Sequence, residues 1–220
     1  MERYLRKLIS EGENQKLDFK YCISDSRKIA RTLSAFANTD GGKLLIGVRD
    51  NGSIAGVRSD EEYYMIETAA GLFCRPEIPV IIRQHFTDGK TVLEVEVGKG
   101  AGRPYEAKGE DGKWKAYFRK GDQNLLANGV MLHLWRKDER KTGVLIRFGK
   151  PEKLLMEHLR INGSITLSAF RKMAKIPSFR AEKIIVNLIL CDVISIDASE
   201  KGFSYILNPK EPEEKMPLAK

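Results

Sequence analysis

The hydrophobic pattern in the first half of the chain predicts a helix followed by buried strands. Apolar side chains in residues 25–36 recur at helical spacing with cations on the other face, so we expect an amphipathic helix resting on a sheet. The apolar run Leu44–Val48 is short and continuous, which is typical of a strand buried on both faces. Asp50-Asn51-Gly52 is a turn signal, and a second short strand is expected over Ile54–Val57.

Further elements extend this pattern towards residue 140. Residues 60–73 predict a helix, and the strand-like runs 79–86 and 91–97 flank Asp88-Gly89-Lys90, which predicts a hairpin. After a glycine-rich loop, residues 113–120 mix basic and aromatic side chains and are expected to form one strand and its end. Together these elements predict a mixed α/β domain.

The pattern changes past Lys141. Short helices are expected over residues 151–159, 167–174 and 178–190, with Ser178 capping the third, and the runs 193–196 and 203–207 predict a small hairpin. Three helices followed by a β-wing resemble the winged helix-turn-helix arrangement. We therefore expect an α+β chain with a mixed α/β domain at 1–140, a winged-helix domain at 141–207 and a mobile tail at 208–220.

The positive net charge of the chain favours a polyanionic partner. Its 220 residues include 38 Lys and Arg against 30 Asp and Glu, which gives a formal net charge of +8 and a pI of about 9.3. Such a balance favours nucleic acid as a partner. No apolar run approaches the roughly 18 residues of a membrane span, and the N-terminus leads into a charged helix, so we expect no membrane association and a cytoplasmic location.

Several motifs carry a family resemblance. LDFK at residues 17–20 precedes AFANTDGGKLLIGVRDNG at 35–52, and PY at 104–105 and YFRKGD at 117–122 follow. Over about residues 10–138 these motifs resemble the Schlafen-type divergent AlbA domain. The resemblance implies an AlbA/Schlafen-like mixed α/β domain that binds DNA.

The same resemblance raises a catalytic alternative. In some Schlafen proteins three acidic residues form a metal-dependent RNA-cutting site, and by position these would be Glu13, Asp18 and Asp50. Their oxygens would hold Mg²⁺ or Mn²⁺, which polarises a phosphoryl group, with Lys20 at the scissile phosphate. The structural alternative places Glu13 at a helix end, Asp18 in an ion pair with an arginine, and Asp50 in the turn.

Two groups of residues are candidates for nucleic-acid contact. Basic side chains beside aromatic ones suit phosphate neutralisation and base stacking, and in a winged helix the third helix enters the major groove. The candidates in the first domain are Lys20, Lys113, Lys115, Arg119 and Lys120, with a specific anion or carboxylate contact expected for Arg119. The candidates in the second domain are Arg171, Lys172, Lys175, Ser178, Arg180 and Lys183. For the first group, the alternative to nucleic-acid contact is a strand whose aromatic side chains point inward and whose lysines are solvated. For the second group, the alternative is a dimerisation or docking surface.

The sequence therefore supports two hypotheses of different classes. The favoured one is a DNA-binding transcriptional regulator without a cofactor, which prefers DNA to RNA and forms a homodimer that pairs two AlbA-like lobes. The other is the metal-dependent ribonuclease. ATP is not expected, because no segment has the spacing of a Walker A loop that opens a helix. The three cysteines and three histidines also lack metal-ligand spacing.

Overall fold

Two separate cores organise the chain, which divides between Ala127 and Asn128. The computed structural model describes residues 2–138 and 148–209. The helix at 129–138 belongs to the second unit, because Val130 is fully buried in that unit's core. The observed division is thus earlier than the one expected at residue 140, which lies outside the described residues. The expected mobile tail also lies outside them, apart from Asn208 and Pro209.

The first unit contains two sheets and a central helix. In chain order its elements are α1 (Glu2–Glu11), β1 (Leu17–Lys20), α2 (Ser26–Asn38), β2 (Gly42–Ile46), α3 (Glu61–Gly71), β3 (Cys74–Arg75), β4 (Val80–Thr87), β5 (Lys90–Val97), β6 (Glu106–Lys108), β7 (Trp114–Lys120) and β8 (Gln123–Leu126). One sheet has the strand order β1-β2-β5-β4, with β1 and β2 parallel, and the other has the order β3-β6-β7-β8. Helix α2 packs against both sheets, and α1 contributes Leu5 to a smaller core with Leu17 and Phe19.

Helix α2 is fixed at both ends by side-chain hydrogen bonds. The Asp25 carboxylate accepts a hydrogen bond from the Arg27 amide at 2.8 Å, which satisfies one free donor of the first turn. At the other end the buried Asn38 amide donates to the carbonyls of Tyr105 and Tyr117 and accepts from the Tyr105 amide. The asparagine of the AFAN motif therefore joins α2 to the second sheet.

The predicted hairpin is confirmed, and one predicted strand is wrong. Thr87 pairs with Lys90 around a two-residue loop, Asp88-Gly89, in which both residues have positive φ as tight hairpins require. Residues 54–57 form no strand; Ile54 makes only an isolated bridge to Val48. The amides of Ala55 and Gly56 both donate to the Gly47 carbonyl, at 2.8 and 2.9 Å, and Gly56 has positive φ, so the backbone turns here and does not continue a ladder.

The second unit combines helices with a small sheet. Its elements are α4 (Gly129–Asp138), α5 (Lys150–Asn162), β9 (Ser164–Ile165), α6 (Leu167–Ala174), α7 (Ser178–Leu190), β10 (Ile194–Ser199) and β11 (Gly202–Leu207). The sheet order is β10-β11-β9, and all pairs are antiparallel. The predicted third helix is present, but its N-cap is Pro177 and not Ser178. In the part of the chain described here, no helix has the length and apolarity to cross a membrane.

Candidate nucleic-acid interface

Arg119 is an internal structural residue of the first unit. Its side chain extends from strand β7 towards α2, where the guanidinium carbon lies 5.2 Å from the centre of the Phe36 ring. The whole residue is only 2% exposed. The guanidinium donates hydrogen bonds of 3.0–3.2 Å to the carbonyls of Asn14 and Leu17, the carboxylate of Asp18 and the side-chain amide oxygen of Asn124. The expected carboxylate contact is confirmed. The assignment of Arg119 to nucleic-acid contact is wrong, because this side chain has no surface for a phosphate.

Asp18 and Glu13 lie together in the region that the catalytic hypothesis requires. Asp18 is 3% exposed, with Oδ1 at 3.1 Å from Arg119 and Oδ2 at 2.8 Å from Lys20 Nζ. Glu13 accepts a hydrogen bond from the Phe19 amide at 2.8 Å. Burial raises the pKa of Glu13 above its ordinary value, and the nearby Asp18 carboxyl adds to this shift, while the Phe19 amide opposes it. The two carboxyls are therefore held by the chain itself.

Asp50 does not join them. It is exposed at the turn after the buried strand, and within residues 2–138 and 148–209 no group of three or more His, Cys, Asp or Glu side chains has the arrangement to hold a metal ion. Asp18 Oδ1 accepts a hydrogen bond from Arg119, whereas the buried Oδ2 lies 2.8 Å from Lys20 Nζ without a hydrogen bond in the described residues. The structure therefore brings together two of the three carboxylates that the catalytic hypothesis requires. Lys20 is engaged likewise, since its Nζ also donates to the Phe19 carbonyl.

The basic strand of the first unit presents only part of its predicted surface. Lys113 and Lys120 are exposed, whereas Lys115 forms a 3.0 Å ion pair with Asp111. Arg75 and Lys108, from two other strands of the same sheet, lie over the Trp114 ring. Lys115 therefore has a partner within the fold, and the aromatic ring is not open for stacking on that face.

A cationic cavity beside this strand was not predicted from the sequence. It has a volume of about 270 Å³ and is lined by Arg27, Lys28, Arg31, Gly109, Glu110, Asp111, Lys115 and Tyr117. Arg27 lies over the Phe73 ring at 5.1 Å, and Arg31 lies 6.0 Å from the centre of the Tyr117 ring. Part of the signal was present in the sequence, because Arg31 lies at i+4 from Arg27 and at i+3 from Lys28, and such residues are neighbours on a helix surface. The sequence could not show that these helix residues meet the loop between β6 and β7 of the second sheet.

The second unit places all six of its predicted residues on the surface. Helix α7 buries Ala181, Ile185 and Leu188 against the core. The opposite face of its first turn is exposed to solvent. The exposed residues are Arg171, Lys172, Lys175, Ser178, Arg180 and Lys183, and Phe179 beside them is 72% exposed. Glu182 lies 3.7 Å from His133. No ion pair between these five cations and a carboxylate is found in the described ranges.

Comparison with known proteins agrees with the fold of the first unit. Residues 13–128, more than half of the chain, match the family described as Schlafen, AlbA_2. Among solved structures, the chain is similar to the DIP2311 protein from Corynebacterium diphtheriae, with 20% identity and a TM-score of 0.43, over 59% of this chain and 28% of that one. It is also similar to the N-terminal domain of a RecG-related protein from Nitrosomonas europaea, with 22% identity and a TM-score of 0.39, over 57% of this chain and 95% of that one. No match was found among curated proteins. The family match supports a nucleic-acid-binding role for the first unit.

Proposed function

Because the chain belongs to the Schlafen AlbA_2 family, we propose that it binds nucleic acid and acts as a DNA-binding transcriptional regulator. One observation carries the proposal: the exposed cations on α6, the following turn and the first turns of α7 form no ion pair with an acid in the described residues. An unneutralised cationic surface gains free energy when phosphates replace its mobile counterions.

The order of elements in the second unit suits a winged helix. A helix, a strand, two helices and a hairpin follow one another, and the sheet order β10-β11-β9 places the first strand beside the hairpin. In this arrangement α7 is the recognition helix. Ser178, Arg180 and Lys183 then face base edges or nearby phosphates, and the cations of α6 contact the backbone.

Binding without cleavage fits the acidic residues better. The hydrolytic alternative needs Glu13, Asp18 and Asp50 on one ion, yet Asp50 stands apart and Asp18 is paired with Arg119 and Lys20. A divalent ion at Asp18 would have to compete with Lys20 and Arg119 for its oxygens. Binding without cleavage makes no demand on these carboxylates.

We further propose that the protein acts as a homodimer on duplex DNA. Two copies related by a two-fold axis present two α7 helices to a palindromic site, and the partner copy supplies the second AlbA-like lobe. Light scattering at working concentration should give twice the mass of one chain. A mass of one chain would contradict the dimer.

Binding of labelled duplex DNA and labelled tRNA, followed by fluorescence anisotropy, tests the proposal. If about six phosphates are contacted, affinity for duplex should fall about a thousandfold between about 50 and 200 mM salt. Arg180→Gln with Lys183→Gln removes two contacts per protomer and should lower the slope of log affinity against log salt by about 1.8 for each bound protomer, which is about 3.6 for the dimer. The matched control is Lys153→Gln with Arg160→Gln, which removes the same charge from exposed positions of α5.

The same preparation separates the regulator from the ribonuclease. Each nucleic acid is incubated with Mn²⁺ or with a chelator, and the products are run on a denaturing gel. Asp50→Asn is the diagnostic variant, because Asp50 is exposed and its replacement should leave the fold intact. Metal-dependent cutting that this variant abolishes would overturn the proposal of a non-enzymatic regulator. Salt-sensitive binding without cutting supports that proposal.

A further inference from the structure

Two arginines of the first unit share one exposed tyrosine. Tyr21 is 40% exposed, and the guanidinium carbons of Arg49 and Arg58 lie 4.9 and 5.2 Å from the centre of its ring. Arg58 Nη2 also donates a 3.2 Å hydrogen bond to the Tyr21 hydroxyl. A guanidinium over a ring keeps most of its N–H groups at its rim, so stacking leaves these donors available. We call these three residues the arginine–tyrosine cluster.

The fold holds the cluster in place through backbone contacts. Tyr21 directly follows β1, and Arg49 lies just beyond the neighbouring parallel strand β2. The buried Glu62 carboxylate accepts hydrogen bonds from the Ile23 amide at 3.1 Å and from the Arg58 amide at 2.9 Å. The segments that bear Tyr21 and Arg58 are thereby joined through one side chain. The cluster is built before any ligand arrives, which reduces the entropy lost on binding.

The cluster differs in its charge balance from two acid-paired surface arginines of the first unit, Arg6 and Arg83. Arg6 pairs with Glu2 and Asp88, and Arg83 pairs with Glu96. Throughout the described ranges, neither Arg49 nor Arg58 forms an ion pair with a carboxylate. The hydrogen bond and positive charge of Arg58 lower the pKa of Tyr21. Two positive charges are therefore exposed on one platform.

We propose that the arginine–tyrosine cluster binds a phosphate group of the nucleic acid. Planar guanidinium donors match phosphate oxygens in pairs, and the C-terminal ends of parallel strands are common ligand sites in α/β sheets. The inference rests on the proposed nucleic-acid function and assigns a phosphate contact to the first unit. The phosphate is either an internal phosphodiester or a terminal monoester, which share this chemistry.

The test compares matched variants of the full chain. Arg49→Gln with Arg58→Gln should weaken binding by about tenfold for each guanidinium lost. Because the cluster holds one phosphate, the duplex salt slope should fall by about 0.9 for each bound protomer. Arg6→Gln with Arg83→Gln is the control, since it removes the same charge from acid-paired positions and should bind like the wild type. Arg49→Lys with Arg58→Lys keeps the charge, so the slope should persist while affinity falls. Circular dichroism melting verifies that every variant folds.

Each outcome has a defined meaning. Loss in the glutamine variant but not in its control supports the cluster, and the same loss with 5′-hydroxyl and 5′-phosphate oligonucleotides identifies an internal phosphodiester. A loss confined to the 5′-phosphate oligonucleotide identifies a terminal phosphate. If the wild type binds but the glutamine variant equals its control, the cluster proposal fails while the proposed function stands. Lysine variants that bind as well as the wild type would also overturn it, because general charge would suffice. A wild type that binds no nucleic acid overturns both.

Discussion

Replacement of Arg119 by methionine tests how the first unit is held together. Methionine occupies a comparable elongated volume without the charge or the five donors, so the change removes the polar contacts while keeping most of the packing. It leaves Oδ1 of the buried Asp18 and the carbonyls of Asn14 and Leu17 without this donor. The expected result is a large loss of stability in the first unit.

The size of the loss follows from the burial of the pair. Removing one partner of a buried ion pair costs about 3–5 kcal/mol. Lys20 still pairs with the other Asp18 oxygen at 2.8 Å, so we expect a value near the lower limit, about 3 kcal/mol. With a urea dependence of about 2 kcal/mol per molar, the midpoint should fall by about 1.5 M.

The positions of the two tryptophans allow the first unit to be followed alone. Trp114 lies on β7, and Trp135 lies on α4 of the second unit. In a Trp135→Phe background, urea unfolding monitored by fluorescence therefore reports the first unit. Arg6→Met is the control, because Arg6 is an exposed arginine in surface ion pairs, and such pairs add little to stability.

A double variant shows whether the buried charge causes the loss. Asp18→Asn in the Arg119→Met chain removes the uncompensated carboxylate and should recover part of the midpoint. If Arg119→Met moves the midpoint no further than Arg6→Met, the guanidinium does not stabilise the fold. The stabilising role given to the buried Arg119–Asp18 pair would then be refuted.

Two further predictions concern the first unit. Burial raises the pKa of Glu94, but hydrogen bonds from Lys43 and other neighbours lower it more, so the folded pKa is below the ordinary 4.5. This stabilisation is present above the unfolded pKa and is lost as pH falls through the folded one, so Glu94→Gln should reduce the urea midpoint at neutral pH but not in strong acid; an equal reduction at both would contradict it. Gly42→Ala should lower the free energy of unfolding by about 1–3 kcal/mol, because the added Cβ would lie 2.5 Å from the Phe36 ring. Gly98→Ala is the control, because its added Cβ would have no heavy atom within 4 Å. Thermal melting compares the two, and equal midpoints would count against the packing argument.

The sequence predicted the candidate sites only in part. The exposed cations of α6 and α7 follow from helical spacing, because the apolar face of α7 shows which side is free. The acidic trio and Arg119 came from motif positions alone, and these do not report burial. The cavity beside Arg31 and the cluster around Tyr21 were missed, since each joins side chains from separate elements.

Local elements were determined by the sequence itself. The helix at 178–190 and the hairpin around Asp88-Gly89 appear as predicted, because periodicity and turn residues act over a few neighbours. Only the tertiary structure decided that Arg119 meets Asp18, 101 residues away, and that Asp50 stays apart. Burial and ion pairing depend on which distant segments come together, and that information lies in the packing of α2 against both sheets.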